Sequence, residues 1–364
     1  MNASIVTIYD SNPNYGNRLQ NYATHTILSQ LGFSVETISY GSKIHKSKLL
    51  LKRLIHAALG YRLTSHKNYW KYHVPKILAF EEFNRRYIPS YHVNDVSDIK
   101  ASDFFFLGSD QVWNVTWFSD DDIRKDLFFL TFCKPEQKIC LSPSFGFDRI
   151  PENWVDFFQE YLSSMSRLSV REISGAALVK ELTGRDVPVL IDPSLMLDAD
   201  QWLHIAKPPR SISCDNPYIL TYFLGECSEQ RHDEIQHIAH QIGAKVFNLQ
   251  DLSQPDLYWC DPGEFLFLVK NAALVLTDSF HASVFSFLFE KPFLVYDREG
   301  AETGMISRIS TLLEKFHLER KYKNSGMVNE LLECDYRAGF AVLQRERQIF
   351  YSFLQDAVML KNVE

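Results

Sequence analysis

Features that mark exported, membrane-spanning and zinc-binding proteins are absent from this sequence of 364 residues. No N-terminal stretch combines the basic start, apolar core and cleavage site of a signal peptide. No apolar run is long enough to span a bilayer. The 6 cysteines are scattered without a C-x-x-C pair, which argues against a structural zinc site and against a disulfide framework. We therefore expect a reduced, cytoplasmic protein.

Motifs for dinucleotide and nucleic-acid binding are also missing. No G-x-G-x-x-G follows the first predicted strand, so dinucleotide binding is not indicated. No recognised nucleic-acid motif is present, and we expect no nucleic-acid partner. The histidines are mostly isolated, which predicts no metal site. What the chain does have is 46% hydrophobic and 23% charged residues, typical of a globular protein with a large core, and a length that suits two domains.

Positive charge is concentrated in residues 43–86. This segment contains eleven Lys and Arg against two Glu, a formal charge of +9, although the whole chain carries −7. Within it, Lys48 to Leu59 reads as an amphipathic helix with basic residues beside leucines. Such a helix can lie on an anionic membrane surface. It can equally be a solvated helix that packs on its own domain, and both interpretations stay open.

Strand and helix patterns alternate along both halves of the chain. Ser4 to Tyr9 reads as a buried strand, the polar loop Asp10 to Arg18 follows, and a helix then leads to a second strand at Phe33 to Tyr40. This is the opening of a Rossmann-like unit, and a similar order starts afresh at Pro217. The sequence therefore predicts an α/β protein with two domains, residues 1–197 with the basic segment as an insertion and residues 198–364 with a long C-terminal helix.

Polar residues follow several predicted strands, at the position where an open α/β sheet binds its ligands. After the strand Ala272 to Leu276 come Asp278, Ser279 and His281, at the start of an apolar helix whose N–H groups suit an anion. In a different interpretation, Ser279 or Asp278 only caps this helix and His281 is structural. Arg171, between a strand and a helix, is placed to hold a carboxylate or phosphate, unless it only pairs with a neighbouring acid.

A second polar cluster follows the predicted strand Asp103 to Leu107. Asp110, Gln111 and Asn114 offer hydrogen bonds and Trp113 offers a flat face, a combination suited to sugar hydroxyls and ring C–H groups. The alternative is an Asx turn beside a core tryptophan.

Five short motifs, in this order along the chain, resemble those of the polysaccharide pyruvyl transferase family, also called ketal-pyruvyltransferases. They are Asn14-Tyr15-Gly16-Asn17, Gly108 to Asn114, Ser169-Val170-Arg171-Glu172, Asp192-Pro193-Ser194 and Thr277 to His281. The resemblance extends from the first strand to about Phe316. It implies two Rossmann-like domains in a GT-B-like arrangement with the site in the cleft between them. It also implies transfer of pyruvate from phosphoenolpyruvate to two hydroxyls of one sugar, which makes a cyclic ketal.

The same resemblance implies that Arg171 and His281 contact phosphoenolpyruvate. Some family members have Arg-Leu-His where this chain has Ser279-Phe280-His281. One cation of the donor site is therefore missing here. The candidates that could supply the charge are Arg171, Lys291, Arg298 and Arg308, and we prefer Arg308 because it opens a helix near the site.

Roles follow from the chemistry that the resemblance implies. His281 would assist phosphate departure, Asp278 would orient His281 or act as a base, and Asp10 and Asp110 are further base candidates on the acceptor side. The substrate-binding candidates are Arg171, Ser279, Arg308, Asn14, Asn17, Gln111, Trp113 and Asn114. Phosphoenolpyruvate is the donor substrate, and no separate cofactor is expected.

The expected acceptor is a lipid-linked saccharide at the inner face of a bacterial membrane, which would give the basic segment a use. Two other functions fit the same pattern. A GT-B glycosyltransferase would bind a nucleotide sugar, and a non-catalytic glycan-binding protein would bind acceptor without releasing phosphate.

Overall fold

A computed structural model describes residues 1–41, 46–58, 67–119, 122–300, 307–322 and 332–359. Its framework is two parallel β-sheets, one in each half of the chain. The six strands of the first sheet are β1 (Asn2–Val6), β2 (Ser34–Ser39), β3 (Ser90–His92), β4 (Phe104–Leu107), β5 (Lys138–Cys140) and β6 (Arg167–Leu168). The four strands of the second are β7 (Tyr218–Tyr222), β8 (Lys245–Asn248), β9 (Leu274–Thr277) and β10 (Phe293–Val295).

The order of the strands determines where each sheet can bind a ligand. The first sheet has the order β3-β2-β1-β4-β5-β6 and the second β10-β9-β7-β8, with parallel pairing in both. In the first sheet the direction of strand addition reverses between β1 and β4, and doubly wound sheets bind ligands at such a point. All four residues of β4 and of β9 are buried, as expected of parallel strands covered on both faces.

Helices connect and cover these strands. In the first half they are α1 (Tyr15–Gln30), α2 (Lys46–Ala58), α3 (Val74–Tyr87), α4 (Ile123–Phe129), α5 (Val155–Ser164) and α6 (Ile173–Thr183). After these come α7 (Ala199–Leu203), α8 (Glu229–Ile242), α9 (Pro255–Tyr258), α10 (Pro262–Asn271), α11 (Phe280–Leu288), α12 (Ser307–Lys315) and α13 (Arg337–Met359).

The two helices nearest the site begin with side-chain caps. Asn14 accepts a hydrogen bond from the backbone N–H of Asn17 at 3.2 Å and so starts α1 directly after the β1 loop. Ser279 accepts one from the N–H of Ala282 at 3.5 Å and starts α11 directly after β9. Both helix N-termini therefore lie at the C-terminal edges of their sheets.

Packing between α1 and the second half brings these two edges together. Tyr15 stacks on Phe265 of α10 with ring centroids 4.5 Å apart, and its hydroxyl donates to the carbonyl of Cys260 at 2.9 Å. Tyr15 and Phe265 belong to one hydrophobic cluster that contains side chains from both sheets, including Ile5 and Leu220. A shared buried cluster of this kind fixes the relative position of the halves.

The C-terminal helix also joins the halves. Arg347 of α13 donates hydrogen bonds to the carbonyls of Leu195 and Leu197, each at 2.8 Å. Leu343 and Phe350 of the same helix are fully buried in the cluster described above. The domain boundary between residues 197 and 198 stays a prediction, although the first sheet ends at Leu168 and the second begins at Tyr218.

The main strands and helices predicted from sequence are present, with ends that differ by a few residues. β3 was not predicted because it is a three-residue edge strand with the sequence SYH, which has no apolar run. Helices α4, α7 and α9 were also missed, and each has at most seven residues. Leu360, predicted as the last residue of the C-terminal helix, lies outside the described residues.

Helix α2 confirms the predicted helix in the basic segment. Leu49, Arg53 and His56 are half-buried, whereas Leu50, Leu51, Leu54 and Ile55 are exposed. The ring of His56 stacks on Trp70 at 4.5 Å, so one face of α2 does pack on its own domain. Lys43, Leu59 and Arg62 lie outside the described residues. None of the described helices has both the length and the hydropathy needed to cross a membrane.

Candidate active site

A cavity of about 420 Å³ lies between the C-terminal edges of the two sheets. The first half contributes residues that follow β1, β2 and β4, and the second half contributes the start of α11 and two arginines. Its walls contain the predicted site residues Asp10, Asn14, Asn17, Asp110, Gln111, Ser279, His281 and Arg308, together with Asn12, Tyr40, Trp117, Arg124, Leu224 and Arg298.

His281 lies in the first turn of α11 and packs directly on α1. A Cβ atom added to Gly16 would lie 2.0 Å from Nδ1 of His281, so the imidazole occupies the space that the glycine leaves open. His281 is 7% exposed, and its Nε2 lies 3.7 Å from Oδ2 of Asp192. Within the described ranges, Nε2 makes no hydrogen bond of ordinary length, and the carboxylate of Asp192 is the charged group beside it.

Asp192 connects His281 to Arg171. Its Oδ2 accepts hydrogen bonds from Nη1 of Arg171 at 2.7 Å and from the hydroxyl of Ser109 at 2.6 Å. Its Oδ1 accepts from the N–H and the hydroxyl of Ser194 at 2.9 and 2.6 Å. Burial raises the pKa of Asp192, but His281, Arg171 and Ser109 outweigh it, so the pKa lies well below its ordinary value.

The position of Asp192 corrects one predicted role. Asp278 was expected to orient His281 or to act as a base. Instead its two oxygens accept from the backbone N–H groups of Leu224 and Gly225 at 2.7 and 2.9 Å, and the residue is 1% exposed. Asp278 therefore fixes the loop after β7, and Asp192 is the carboxylate beside His281. The sequence did contain a signal, since Asp192-Pro193-Ser194 is one of the five motifs.

Asp110 lies at the centre of the polar groups contributed by β4. Its φ of 78° is in the left-handed region, which a non-glycine residue adopts only where surrounding contacts hold it. Oδ2 accepts from the amide of Asn17 at 2.7 Å, and Oδ1 accepts from the N–H of Gln111 at 2.8 Å. Oδ1 is also 3.7 Å from Nη2 of Arg171 and 3.8 Å from Nη1 of Arg308.

Arg124, Arg298 and Arg308 line the cavity together with the carboxylates of Asp10 and Asp110. Arg308 is 8% exposed, and burial together with the charge of Arg171 lowers its pKa to about 10, so it is still protonated at neutral pH. Arg298 lies in the same wall, with Nε 3.4 Å from Asp278. Arg124, on the side of the first sheet, was not predicted. Lys291 is not among the residues that line the cavity.

Arg171 lies one layer behind this wall rather than in it. It is 4% exposed and borders a smaller adjoining cavity together with Asp192, Phe280 and Arg308. Burial disfavours the charged guanidinium, but Asp192, Asp110 and Glu172 outweigh it and raise its pKa above the ordinary value. Its direct contacts are thus with the protein.

Two predicted substrate-binding residues, Trp113 and Asn114, are not among the residues that line the cavity. Trp113 is fully buried between Phe129 and Phe145, and its indole N–H donates to the carbonyl of Phe128 at 3.0 Å, so the prediction that it faces a sugar is wrong. Asn114 is not among the cavity-lining residues, and its Oδ1 accepts from the hydroxyl of Thr116 at 2.5 Å. The alternative interpretation, an Asx turn beside a core tryptophan, describes both residues.

Asp10 and Ser279 do border the cavity. Asp10 is half-buried and its Oδ1 accepts from the N–H of Asn12 at 2.9 Å. Ser279 caps α11, so the capping interpretation holds for this residue while it also borders the cavity. Among the side chains that the structure describes, no group of three or more His, Cys, Asp or Glu has the arrangement of a metal site.

Comparison with known proteins places these observations in a family. The family model for polysaccharide pyruvyl transferases matches residues 14–300. A search of curated proteins gave no match.

Solved structures resemble the whole chain. A Listeria monocytogenes protein described as a UDP-N-acetylglucosamine 2-epimerase has a TM-score of 0.50 and 12% identity, and the match covers 94% of this chain and 90% of that one. A UDP-GlcNAc 2-epimerase from Neisseria meningitidis, bound to UDP-GlcNAc, has a TM-score of 0.45 and 10% identity over 98% and 100% of the chains. The predicted fold, two Rossmann-like domains in a GT-B-like arrangement, is confirmed.

Proposed function

Because the chain belongs to the polysaccharide pyruvyl transferase family, we propose that it transfers pyruvate from phosphoenolpyruvate to two hydroxyls of one sugar. The product is a cyclic ketal, and phosphate is released. The observation that carries this proposal is the grouping of His281 with Arg298 and Arg308 around one cavity. Phosphoenolpyruvate carries a carboxylate and a phosphate, and such a group of cations suits both.

Arg308 and His281 are the proposed direct contacts of the donor. Within the described residues, Nε of Arg308 and Nε2 of His281 have no hydrogen-bond partner, and both residues line the cavity. Their contacts with carboxylates are long, 3.7 Å from His281 to Asp192 and 3.8 Å from Arg308 to Asp110, so a ligand oxygen at hydrogen-bond distance would stabilise both side chains. Arg171 acts as a positioning residue in this proposal, because it holds Asp192 and borders Asp110.

Two protons move in the reaction, and the number released equals the number taken up. The two sugar hydroxyls each lose a proton, one proton is added to the methylene carbon of phosphoenolpyruvate, and one leaves with phosphate. Two C–O bonds form at C2 and the C2–O bond to phosphate breaks. His281 is the proposed group that protonates phosphate as it leaves.

Asp10 is the proposed base for the attacking sugar hydroxyl. It borders the cavity on the acceptor side, and it is only half-buried. Asp110 is the weaker candidate because its carboxylate already contacts Asn17, Arg171 and Arg308. A carboxylate held by cations is a poorer base than one without them.

The test is a mass-spectrometric assay with phosphoenolpyruvate and a panel of saccharides. The proposal predicts a product heavier by one pyruvate minus one water, with release of phosphate. The variants His281→Ala and Asp10→Asn should lose at least about 100-fold in kcat. His237→Ala is the matched control, because His237 lies on α8 and lines neither the cavity nor its neighbour. Wild-type rates in both test variants would refute the assignment.

The same assay tests the glycosyltransferase alternative. A protein of that class would consume a nucleotide sugar without phosphoenolpyruvate and would release a nucleotide diphosphate. A glycan-binding protein would retain saccharide and release neither phosphate nor nucleotide.

We also propose that the acceptor is lipid-linked and that α2 contacts the membrane. The exposed face of α2 carries Leu51, 60% exposed, and Leu54, 66% exposed, and Lys48 and Lys52 are exposed beside them. Apolar side chains flanked by lysines suit the surface of an anionic bilayer. The proposal gives the predicted basic segment its function.

Sedimentation with lipid vesicles tests this contact. The protein should pellet with vesicles of phosphatidylcholine and phosphatidylglycerol, and less with phosphatidylcholine alone. The double variant Leu51→Ser/Leu54→Ser should stay in the supernatant, whereas Leu332→Ser, at an exposed leucine outside α2, should behave as wild type. Equal pelleting of wild type and double variant would contradict the proposal.

A further inference from the structure

A second cavity, of about 680 Å³, adjoins the candidate active site. Asp10 and Tyr40 belong to the walls of both cavities. The second cavity lies where β1, β2 and β3 end, and Tyr9, Ser39 and His92 line it there. Its size is within the range of small-molecule sites, roughly 300–1,000 Å³. We call it the edge groove, because β3 is the edge strand of the first sheet.

Neutral and aromatic groups form most of the wall of the edge groove. Tyr9, Tyr40 and Tyr91 contribute aromatic rings, and Asn84 and His92 contribute an amide and an imidazole. Aromatic faces contact the C–H surfaces of sugars, and amide and imidazole groups bond their hydroxyls. This is the chemistry of a saccharide site.

Among the described residues, the amide and the imidazole each have one atom without a hydrogen-bond partner. In the described part of the chain, Oδ1 of Asn84 and Nε2 of His92 form no hydrogen bond. The other end of each side chain is fixed, because Nδ2 of Asn84 donates to Glu81 at 3.0 Å and Nδ1 of His92 lies 3.4 Å from the hydroxyl of Ser39. Buried polar atoms are normally satisfied, so an acceptor and a ring nitrogen held in place without partners indicate a ligand.

The described charges of the edge groove do not favour a polyanion. Lys46 and Arg85 both pair with Glu82, at 3.0 and 2.5 Å. Glu81 and Asp10 add two more carboxylates, so the described wall carries two cations and three anions. A nucleotide or a diphosphate would meet no net positive charge here. Arg298 and Arg308 lie in the adjoining cavity, where the donor is proposed to bind.

We infer that the edge groove binds the neighbouring sugar of the acceptor, the one linked to the sugar that receives pyruvate. That this sugar is linked to the one that receives pyruvate rests on the proposed function. The binding of a neutral pyranose in the edge groove does not depend on transfer. Because Asp10 and Tyr40 line both cavities, two linked sugars would lie on either side of these residues. An acceptor of at least two sugars therefore fills both cavities, and a monosaccharide fills one.

Saturation-transfer NMR with matched sugars tests the inference. The probes are methyl β-galactoside, methyl β-glucoside and methyl N-acetyl-β-glucosaminide, each against a disaccharide, namely lactose, cellobiose and diacetylchitobiose. In the wild-type protein, at least one disaccharide should bind about tenfold more tightly than its monosaccharide, as expected for one or two added hydrogen bonds. The tightest pair is then measured in the variants.

Two variants remove the groove by different means. His92→Phe keeps the ring and deletes the nitrogen without a partner, and Ser90→Trp, at an exposed residue of β3, fills the groove with a side chain. Both should reduce the disaccharide-to-monosaccharide affinity ratio from about ten towards one. His237→Phe is the matched control and should keep the wild-type ratio.

The outcomes separate this inference from the proposed function. No disaccharide binding, or an unchanged ratio in both variants, overturns the inference. Transfer of pyruvate to mono- and disaccharides with equal KM would support the proposed function and contradict the sugar site in the edge groove. Disaccharide binding that depends on His92, without any turnover of phosphoenolpyruvate, would support the sugar site in the edge groove and contradict the proposed function.

Discussion

Adding one methyl group at Gly16 should disable His281 without removing any polar group. Gly16 is the third residue of the Asn14-Tyr15-Gly16-Asn17 motif and lies in the first turn of α1. In most helices a Gly→Ala change stabilises, by up to about 1 kcal/mol, because alanine loses less backbone entropy. Here the new methyl would meet the imidazole of another helix.

The size of the clash can be read from the distances. The Cβ atom would lie 2.0 Å from Nδ1, 2.6 Å from Cε1 and 2.7 Å from Cγ of His281. Non-bonded heavy atoms need about 3.5 Å, so the ring must retreat by about 1.5 Å. A displacement of about 1 Å at a reacting group can cost roughly 100-fold in rate. Overpacking of this kind costs about 1–3 kcal/mol in stability.

Gly16→Ala is therefore expected to lower kcat at least about 100-fold and to lower the free energy of unfolding by about 1–3 kcal/mol. Pyruvyl transfer and urea unfolding measure the two quantities. The double variant Gly16→Ala/His281→Ala is the control, because the methyl then enters the space left by the imidazole. Stability should return while activity stays lost. A single variant that is stable and fully active would refute the contact between Gly16 and His281.

Three further predictions concern buried groups. Asp192→Asn faces Arg171 with an amide instead of a carboxylate, and Arg171 then keeps the more distant carboxylates of Asp110 and Glu172. Urea unfolding should show a loss of about 1.5–3 kcal/mol, the contribution of a hydrogen bond to a charged group. A loss below about 0.5 kcal/mol would contradict the network. Lys76 is 3% exposed and burial lowers its pKa to about 8, below the unfolded value of 10.5. The unfolded state therefore holds more protons than the folded state between those two pKa values. As pH rises from about 8 to about 10.5, the free energy of unfolding of the wild type should increase relative to that of Lys76→Met by up to about 3 kcal/mol. Parallel pH profiles of the two proteins would show that the Tyr258 ring, 4.2 Å from Nζ, compensates for burial. Trp113→Phe should lower stability by about 1–3 kcal/mol with unchanged acceptor KM, whereas a raised KM at wild-type stability would restore its predicted sugar contact.

The sequence was most informative where structure is local. Parallel strands buried on both faces read as short apolar runs, so β4 and β9 were identifiable, and the polar residues after them had to lie at sheet edges. Asp110 and His281 were found on this basis, and both line the cavity. Gly16 also belongs to one of the motifs. The need for a glycine there comes from the close approach of His281, a residue far away in the sequence.

Choosing between Asp192 and Asp278 required the packing of the two halves. Both aspartates come at the end of an apolar run, and a serine lies two residues after Asp192 and one residue after Asp278, so their local patterns are similar. Asp278 turns back to the loop after β7, and Asp192 reaches His281 across the interface made by α1 and α11. No pattern within one segment encodes that distinction. Trp113 shows the same difficulty, because an aromatic residue next to polar ones reads as a binding face or as core with equal ease.

Position 279 is a serine, and the sequence left four candidates for the positive charge that an arginine would supply there. The structure distinguishes among them. Lys291 is not among the residues of the cavity wall, and Arg171 lies behind it, held by Asp192. Arg298 and Arg308 do line the cavity, and Arg308 is the more buried. Its pKa of about 10 reflects burial and the charge of Arg171, which means that a bound anion would relieve an existing repulsion. Arg308→Met should therefore raise the KM for phosphoenolpyruvate more than Lys291→Met does, and the reverse order would show that the charge is supplied from outside this wall.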